Sequence, residues 1–345
     1  MTARAQAWTV VATVGVAVCC WVASGRAQQS AASVEVLQLR PNFYMLASAA
    51  SNVAVQVGTD GVVVVNSGTR ALAGEVLAAI RKLTTEPIRY IINTNADADV
   101  VGGNGVLAKA GLRLGALAVR AGRTPQPGDA AFILAHERVL DRMRATTPPF
   151  PSDDWPSETF DERRKSIYFN GEGIEIIQLP GAHTDADAIV FFRRSDVLVA
   201  GHILDANRFP VIDLARGGSI HGEVDALNRI IEMAIPGGPY LGSPEGAIAR
   251  GAAVMPGGTE VITGSGRVFR QIDVVDYRDM VVIIRDTIQH MIGRNMTLDQ
   301  VKASAPAKAW EPRFGATSGA GTANDFVEAI YRSLMNSRNQ APAGR

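Results

Sequence analysis

The feature that most constrains this chain is a change of character within residues 88–104, I-R-Y-I-I-N-T-N-A-D-A-D-V-V-G-G-N. The run over 88–92 reads as a short strand that delivers the backbone into a polar loop. Asn95, Asp97 and Asp99 alternate along that loop. An extended segment points residues i, i+2 and i+4 the same way, so three oxygen-bearing side chains are expected to converge where a cation can sit. Gly102 and Gly103 then open a helix. On residue types alone, a polar loop with Asx turns and a helix cap accounts for the same letters. Either way, the strand behind the loop must be buried.

The surroundings supply a sheet for it. Short β-rich runs at 34–39, 43–47, 53–57 and 61–65 are separated by Pro41-Asn42 and Thr59-Asp60-Gly61, the punctuation of tight turns. The last run is continuously apolar, as expected of a strand buried on both faces. Leu72, Val76, Leu77, Ile80 and Leu83 mark one face of a helix that stops before Pro87. A second β-rich block follows at 166–169, 174–179, 188–192 and 197–200, then an amphipathic helix at 222–234 and a last strand at 260–263. Residues 131–144 read as a helix containing His136. The proline-rich stretch 147–157 reads as a surface excursion, and 236–258 as an inserted surface loop with a turn of helix at 247–252. Helices are expected at 277–292, from Thr297 with Gln300 as capping-box partner, and at 326–335. Two β-rich halves, each interleaved with helices, imply two sheets packed face to face with helices outside, an α/β four-layer αββα sandwich.

Residues 1–27 stand apart. Arg4 precedes an apolar stretch over 7–24, and Gly25-Arg26-Ala27 ends on a small residue, the pattern of a secretory signal cleaved near Ala27. An uncleaved N-terminal anchor is the alternative. The expectation is a periplasmic or secreted protein with one domain over 28–345, in which 236–258 is an insertion and 276–335 carries C-terminal helices. Cys19 and Cys20 both lie in the leader, so the mature chain has no thiolate and any metal must be held by His, Asp, Glu or amide oxygen. Lys plus Arg equals Asp plus Glu at 34 each, with no long run of one sign, which gives no footing for a nucleic-acid partner. No membrane partner is expected beyond the leader, and a small molecule is the only ligand class anticipated.

The loop over 93–104 resembles the signature of the metallo-β-lactamase superfamily, N-T-H-x-H-x-D-H-x-G-G-N. Asn93, Thr94, Asp99, Gly102, Gly103 and Asn104 match it. Asn95, Asp97 and Val100 stand where the family carries histidines. Later landmarks arrive in family order. His183, in L-P-G-A-H-T, matches the family's third histidine; His202 follows V-A-G where the family has a bridging Asp; Ser265, in T-G-S-G, replaces the last histidine; and Asn66 takes the place of a buttressing Asp. The segment 209–220, F-P-V-I-D-L-A-R-G-G-S-I, resembles a subgroup of exported hydrolases of this superfamily.

The resemblance implies zinc and a metal-dependent hydrolase, with Asp99 in a catalytic position. A two-zinc centre needs about six protein ligands, mainly imidazoles. With Asn95, Val100 and Ser265 at ligand positions, a dinuclear centre is not expected. Asp97, His183 and His202, with Asp99 beside them, remain as a set for at most one zinc or iron, or for none. His136 and His221 read as capping or surface residues, and His290 belongs to the 277–292 helix, far from the motifs in sequence. Three functions follow: an inactive or very weak relative of the hydrolases, a hydrolase with a remodelled single-metal site, and a non-enzymatic binding protein.

Overall fold

Four consecutive valines decide how the first sheet is covered. In the strand Gly61–Val65 (β4), every residue is buried, with Val62 and Val64 facing one apolar cluster and Val63 and Val65 another. Side chains alternate across a strand, so this run requires a layer on each face. Each fully buried valine contributes at most roughly 1.5–3 kcal/mol. The computed structural model describes residues 34–113, 129–237, 257–316 and 320–340, all within one compact unit spanning Ala32–Arg345. The leader expected at 1–27, the turn of helix at 247–252 and most of the insertion at 236–258 lie outside these residues.

Among the described residues the first sheet runs in sequence order, through Glu35–Arg40 (β1), Phe43–Ala47 (β2), Asn52–Gly58 (β3), β4, Ile88–Ile92 (β5), Phe132–His136 (β6) and Glu158–Phe160 (β7). Its first four strands pair antiparallel, and β4 to β7 pair parallel. The second sheet, in spatial order, is Glu260–Thr263 (β12), Val197–Gly201 (β11), Ala188–Phe192 (β10), Glu172–Gln178 (β9) and Arg164–Phe169 (β8). It is antiparallel except where β11 and β12 run together.

Phe43, Met45, Val63, Val65, Ile92 and Leu134 of one sheet pack on Ile174, Ile176, Val190, Phe192, Val199 and Ile262 of the other. Helices Ala73–Leu83 and Asn104–Ala110 cover the outer face of the first sheet. Helices Ile220–Met233, Gln271–Gly293 and Ala323–Gln340 cover the second. The αββα sandwich expected from the sequence is the observed architecture. The capping box at Thr297 and Gln300 is present as well.

One expectation is corrected. Residues 131–144 are not one helix: Phe132–His136 is a strand, and the helix begins at Glu137 and ends at Ala145. The strand is held between β5 and β7, where buried Ile133, Leu134 and Ala135 each meet an apolar layer. Tertiary pairing outweighs the helical composition of that stretch. The excursion at 147–157 is largely exposed, as expected, and is anchored at one residue. Asp154 is 1% exposed; its Oδ1 accepts from Gly105 N at 2.9 Å and its carbonyl from Asn104 Nδ2 at 2.8 Å. It therefore clamps the helix that follows the polar loop.

Candidate metal centre

The polar loop leaves the C-terminal end of β5 and is closed on itself by amides. Buried Asn93 and Asn104 exchange two hydrogen bonds at 2.9–3.0 Å, fixing the two ends of the motif to each other. Asn66, held at φ 64°, accepts from both Thr94 N and Thr94 Oγ1 at 3.0 Å, so the expected buttress from the neighbouring strand end is made by an amide oxygen. Gly102 and Gly103 are required by close approach. A Cβ on Gly102 would lie 2.4 Å from Ala98 O, and one on Gly103 would lie 2.3 Å from Ser67 O.

The even alternation expected of Asn95, Asp97 and Asp99 holds only in part. Asn95 is 1% exposed and turns back to accept from Asp97 N at 2.9 Å, an Asx turn. Asp97 is extended and precedes the helix Ala98–Val101, so Asp99 rises from that helix's first turn. Val100 faces an apolar cluster with Val101, Ala135, Val139 and Met143.

Three loops bring the remaining donors together. His183 arrives between β9 and β10. His202 follows β11, whose terminal Gly201 takes φ 58° against Thr94. Gly264 leaves room for the second imidazole, since a Cβ there would be 2.4 Å from His202 Cδ2. Asp97 Oδ2 lies 2.8 Å from His183 Nε2 and 2.9 Å from His202 Nδ1. The other ring nitrogen of His183 lies 2.5 Å from the Val211 carbonyl, and that of His202 is buried 3.3 Å from Asp99 Oδ2. The latter distance is that of an ion pair without the alignment of a hydrogen bond.

Arg216 completes the cluster. Its Nη1 donates to Asp97 Oδ1 at 2.6 Å and its Nε to Asp213 Oδ2 at 2.7 Å. Its carbonyl accepts from Arg142, which forks onto Asp185 at 2.8–2.9 Å. Sequence reading missed this arginine. The available signal was the Asp213–Arg216 spacing of three, closed by Gly217 in the left-handed region.

Electrostatics follow from that geometry. Burial pushes the Asp97 carboxyl up, but hydrogen bonds from His183 and His202 hold it far below the usual carboxylate range. Burial lowers both imidazoles, but their bonds to Asp97 together with the nearby carboxylates, Asp187 for His183 and Asp99 and Asp205 for His202, outweigh it, so both are raised and His202 strongly so. The chemistry agrees: a carboxylate oxygen only accepts, so each nitrogen facing Asp97 carries a proton when no ion is present. Behind the cluster lie three further buried acids. Asp187 accepts from Thr184 N and Oγ1 and is pushed up to about 6, mainly by burial. Asp205 accepts from Ser265 Oγ at 2.7 Å and Arg208 Nε at 2.8 Å. Glu223 is fully buried with neither carboxyl oxygen hydrogen-bonded, and burial raises it well above the usual range.

The residues fit one ion. Two imidazoles and a carboxylate place their donor atoms within 4.8 Å of one another, a legitimate set for zinc or ferrous iron. A backbone carbonyl on the far nitrogen of His183 is the outer-shell partner that metal-bound histidines require. Asn95, Val100 and Ser265 do not join the set. Nor do the other histidines: His136 is buried, not on the surface, and caps its helix by accepting from Arg138 N, while His221 and His290 are exposed on their helices.

A sandwich of this topology, with its donors gathered at strand ends around one carboxylate, defines a metallo-hydrolase type of fold. The family model described as the metallo-beta-lactamase superfamily matches residues 49–238, more than half the chain, and the chain belongs to that superfamily. Among solved structures it is similar to a metallo-beta-lactamase from Pontibacter korlensis, at 14% identity and TM-score 0.50, covering 72% of this chain and 99% of that one. It is also similar to a double mutant of the sec-alkyl sulfatase PisA1, at 12% identity and TM-score 0.61. That likeness covers 90% of this chain but only 52% of the other, so the present chain spans about half of that protein's length. A search of curated proteins finds no match.

Proposed function

We propose that the mature chain is an exported hydrolase-fold protein with a single-ion centre at Asp97, His183 and His202, in place of the two-metal centre usual in its superfamily. Hydrolysis of the superfamily's usual substrates is weak or absent. One observation carries this reading: a single carboxylate oxygen, Asp97 Oδ2, is shared by two buried imidazoles from different loops. A bound zinc or iron would supply Lewis acidity and favour deprotonation of water near neutral pH. The chain's own residues do the rest. The Val211 carbonyl orients His183, and Arg216 fixes Asp97 through its second oxygen. Asp99, a quarter exposed beside His202, is the carboxylate placed to accept a proton from a reacting group at the mouth.

Val100 and Ser265 support the loss of the second ion, because each is committed to internal contacts. The leader at 1–27 supports export. Among the described residues no helix is long and apolar enough to cross a membrane. A second reading, a metal-free binding protein, is favoured by Arg216, which already gives Asp97 a permanent counter-charge.

Elemental analysis of the purified protein, with zinc calorimetry on wild type and His183→Ala, tests the proposal. About one zinc or iron per chain, lost in the variant, is expected. A protein that stays metal-free in added zinc sinks the single-ion reading. Efficient chelator-sensitive turnover of lactams, lactones or sulfate esters sinks the claim of weak activity.

A further inference from the structure

Beside the cluster lies a cleft of about 410 Å³, lined by Arg70, Ala71, Ala98, Asp99, Phe150 and Pro151 among others. Its size falls in the ~300–1,000 Å³ range of small-molecule sites. Its floor is backbone: Gly102 packs so closely that a Cβ would come within 2.6 Å of Arg70 N. One wall comes from the turn after β4 and the facing wall from the stretch that Asp154 anchors. Asp99 belongs to both cleft and centre, reaching His202 from one side and the cleft from the other.

We infer that this cleft holds an uncharged apolar arm of the substrate, an alkyl or aryl group, while the bond to be cut lies over Asp97, Asp99 and His202. The inference rests on the proposed hydrolase centre for the second half of that statement only. Charge selects the ligand. Arg70 is ion-paired to buried Asp154 and Asp99 to His202, so neither wall of the cleft offers an unanswered charge. A charged tail would therefore lose its water without gaining a counter-charge in the cleft. Alanine, proline and phenylalanine side chains offer hydrocarbon instead.

The experiment measures binding of straight-chain alcohols from propanol to octanol, and of hexanoate, by ligand-observed NMR on the mature protein. Metal content is determined on the same preparations. Affinity is expected to rise about three- to fourfold per methylene until the cleft is full, following ~0.8 kcal/mol per buried CH₂. Hexanoate should bind more weakly than hexanol. Ala71→Trp, at an exposed position that folding tolerates, should abolish the dependence on chain length while leaving metal content unchanged. A flat series in the wild type, a series that survives Ala71→Trp, or hexanoate binding more tightly than hexanol would each overturn the inference. A metal-free wild type with an intact alcohol series would instead refute the single-ion centre and leave the cleft standing.

Discussion

The two places where the resemblance puts metal ions are built differently in this chain. At the first, a carboxylate stands where a histidine is usual and a histidine where a carboxylate is usual, and the two exchanged groups meet: Asp97 faces His202 at 2.9 Å with His183 beside them. At the second, Val100 is sunk among Ala135, Val139 and Met143, and Ser265 is spent on Asp205. Asp99 is what remains there. The first place still pays the electrostatic cost of gathering charges in a buried pocket; on the proposed reading the second is given over to ordinary packing and internal hydrogen bonds. An unmaintained site relaxes toward apolar contacts and satisfied hydrogen bonds. Charges kept clustered under burial argue for something that uses them.

The most disruptive way to break the contrast is Asp97→Ala. It leaves two buried imidazoles and Arg216 around a missing counter-charge, and loss of one partner from a buried ionic group costs about 3–5 kcal/mol. Urea unfolding should show that loss together with abolished zinc binding; a variant as stable as wild type would mean the cluster is idle. Next is the attempt to rebuild the second place with Val100→His. Its side chain faces hydrocarbon, so the expected outcome is destabilisation by about 1–3 kcal/mol and no second ion, checked by unfolding and elemental analysis.

Arg216→Gln sharpens the comparison at the first place. As an outer support of Asp97, its removal should weaken zinc affinity about 10- to 100-fold in calorimetry. Tighter zinc binding would instead mark Arg216 as a substitute for the ion and favour the metal-free reading. Acidity gives a gentler test. Both imidazoles are raised, so in metal-free protein their stabilising contribution is full below their ordinary value of 6.5 and is lost as pH climbs through their folded values. Asp97 is lowered, so its contribution is present above its ordinary value of 3.8 and lost only in stronger acid. Metal-free protein should therefore be most stable between these limits. Added zinc should shift the optimum upward, because protonated imidazole cannot ligate. Thermal midpoints across pH with and without zinc decide it. Ser265→Ala should have the smallest effect, about 1 kcal/mol from the lost bond to Asp205, with metal content unchanged.

The fold was legible where burial is written as continuous hydrocarbon, as in β4 and β5, and where turns are spelled by Pro, Asn and Gly. It was illegible at β6, because Ala131 to His136 has the letters of a helix and becomes a strand only between two parallel neighbours. At the site, the loop pattern marked Asp97 and Asp99 and the resemblance marked His183 and His202, and the fold places the four side by side. Simple alternation misplaced Asn95, since an Asx turn consumes its side chain locally. Arg216 was hidden for another reason: its partner lies 119 residues away, and an arginine in a Gly-rich loop looks solvated until the loops meet.

Glu223 carries one further consequence. Burial with neither oxygen bonded favours the neutral carboxyl, so the folded chain holds this proton more tightly than the unfolded chain does. Unfolding should therefore acidify a weakly buffered solution. Its calorimetric heat should depend on the ionisation enthalpy of the buffer, and Glu223→Gln should reduce the release by about one proton per chain.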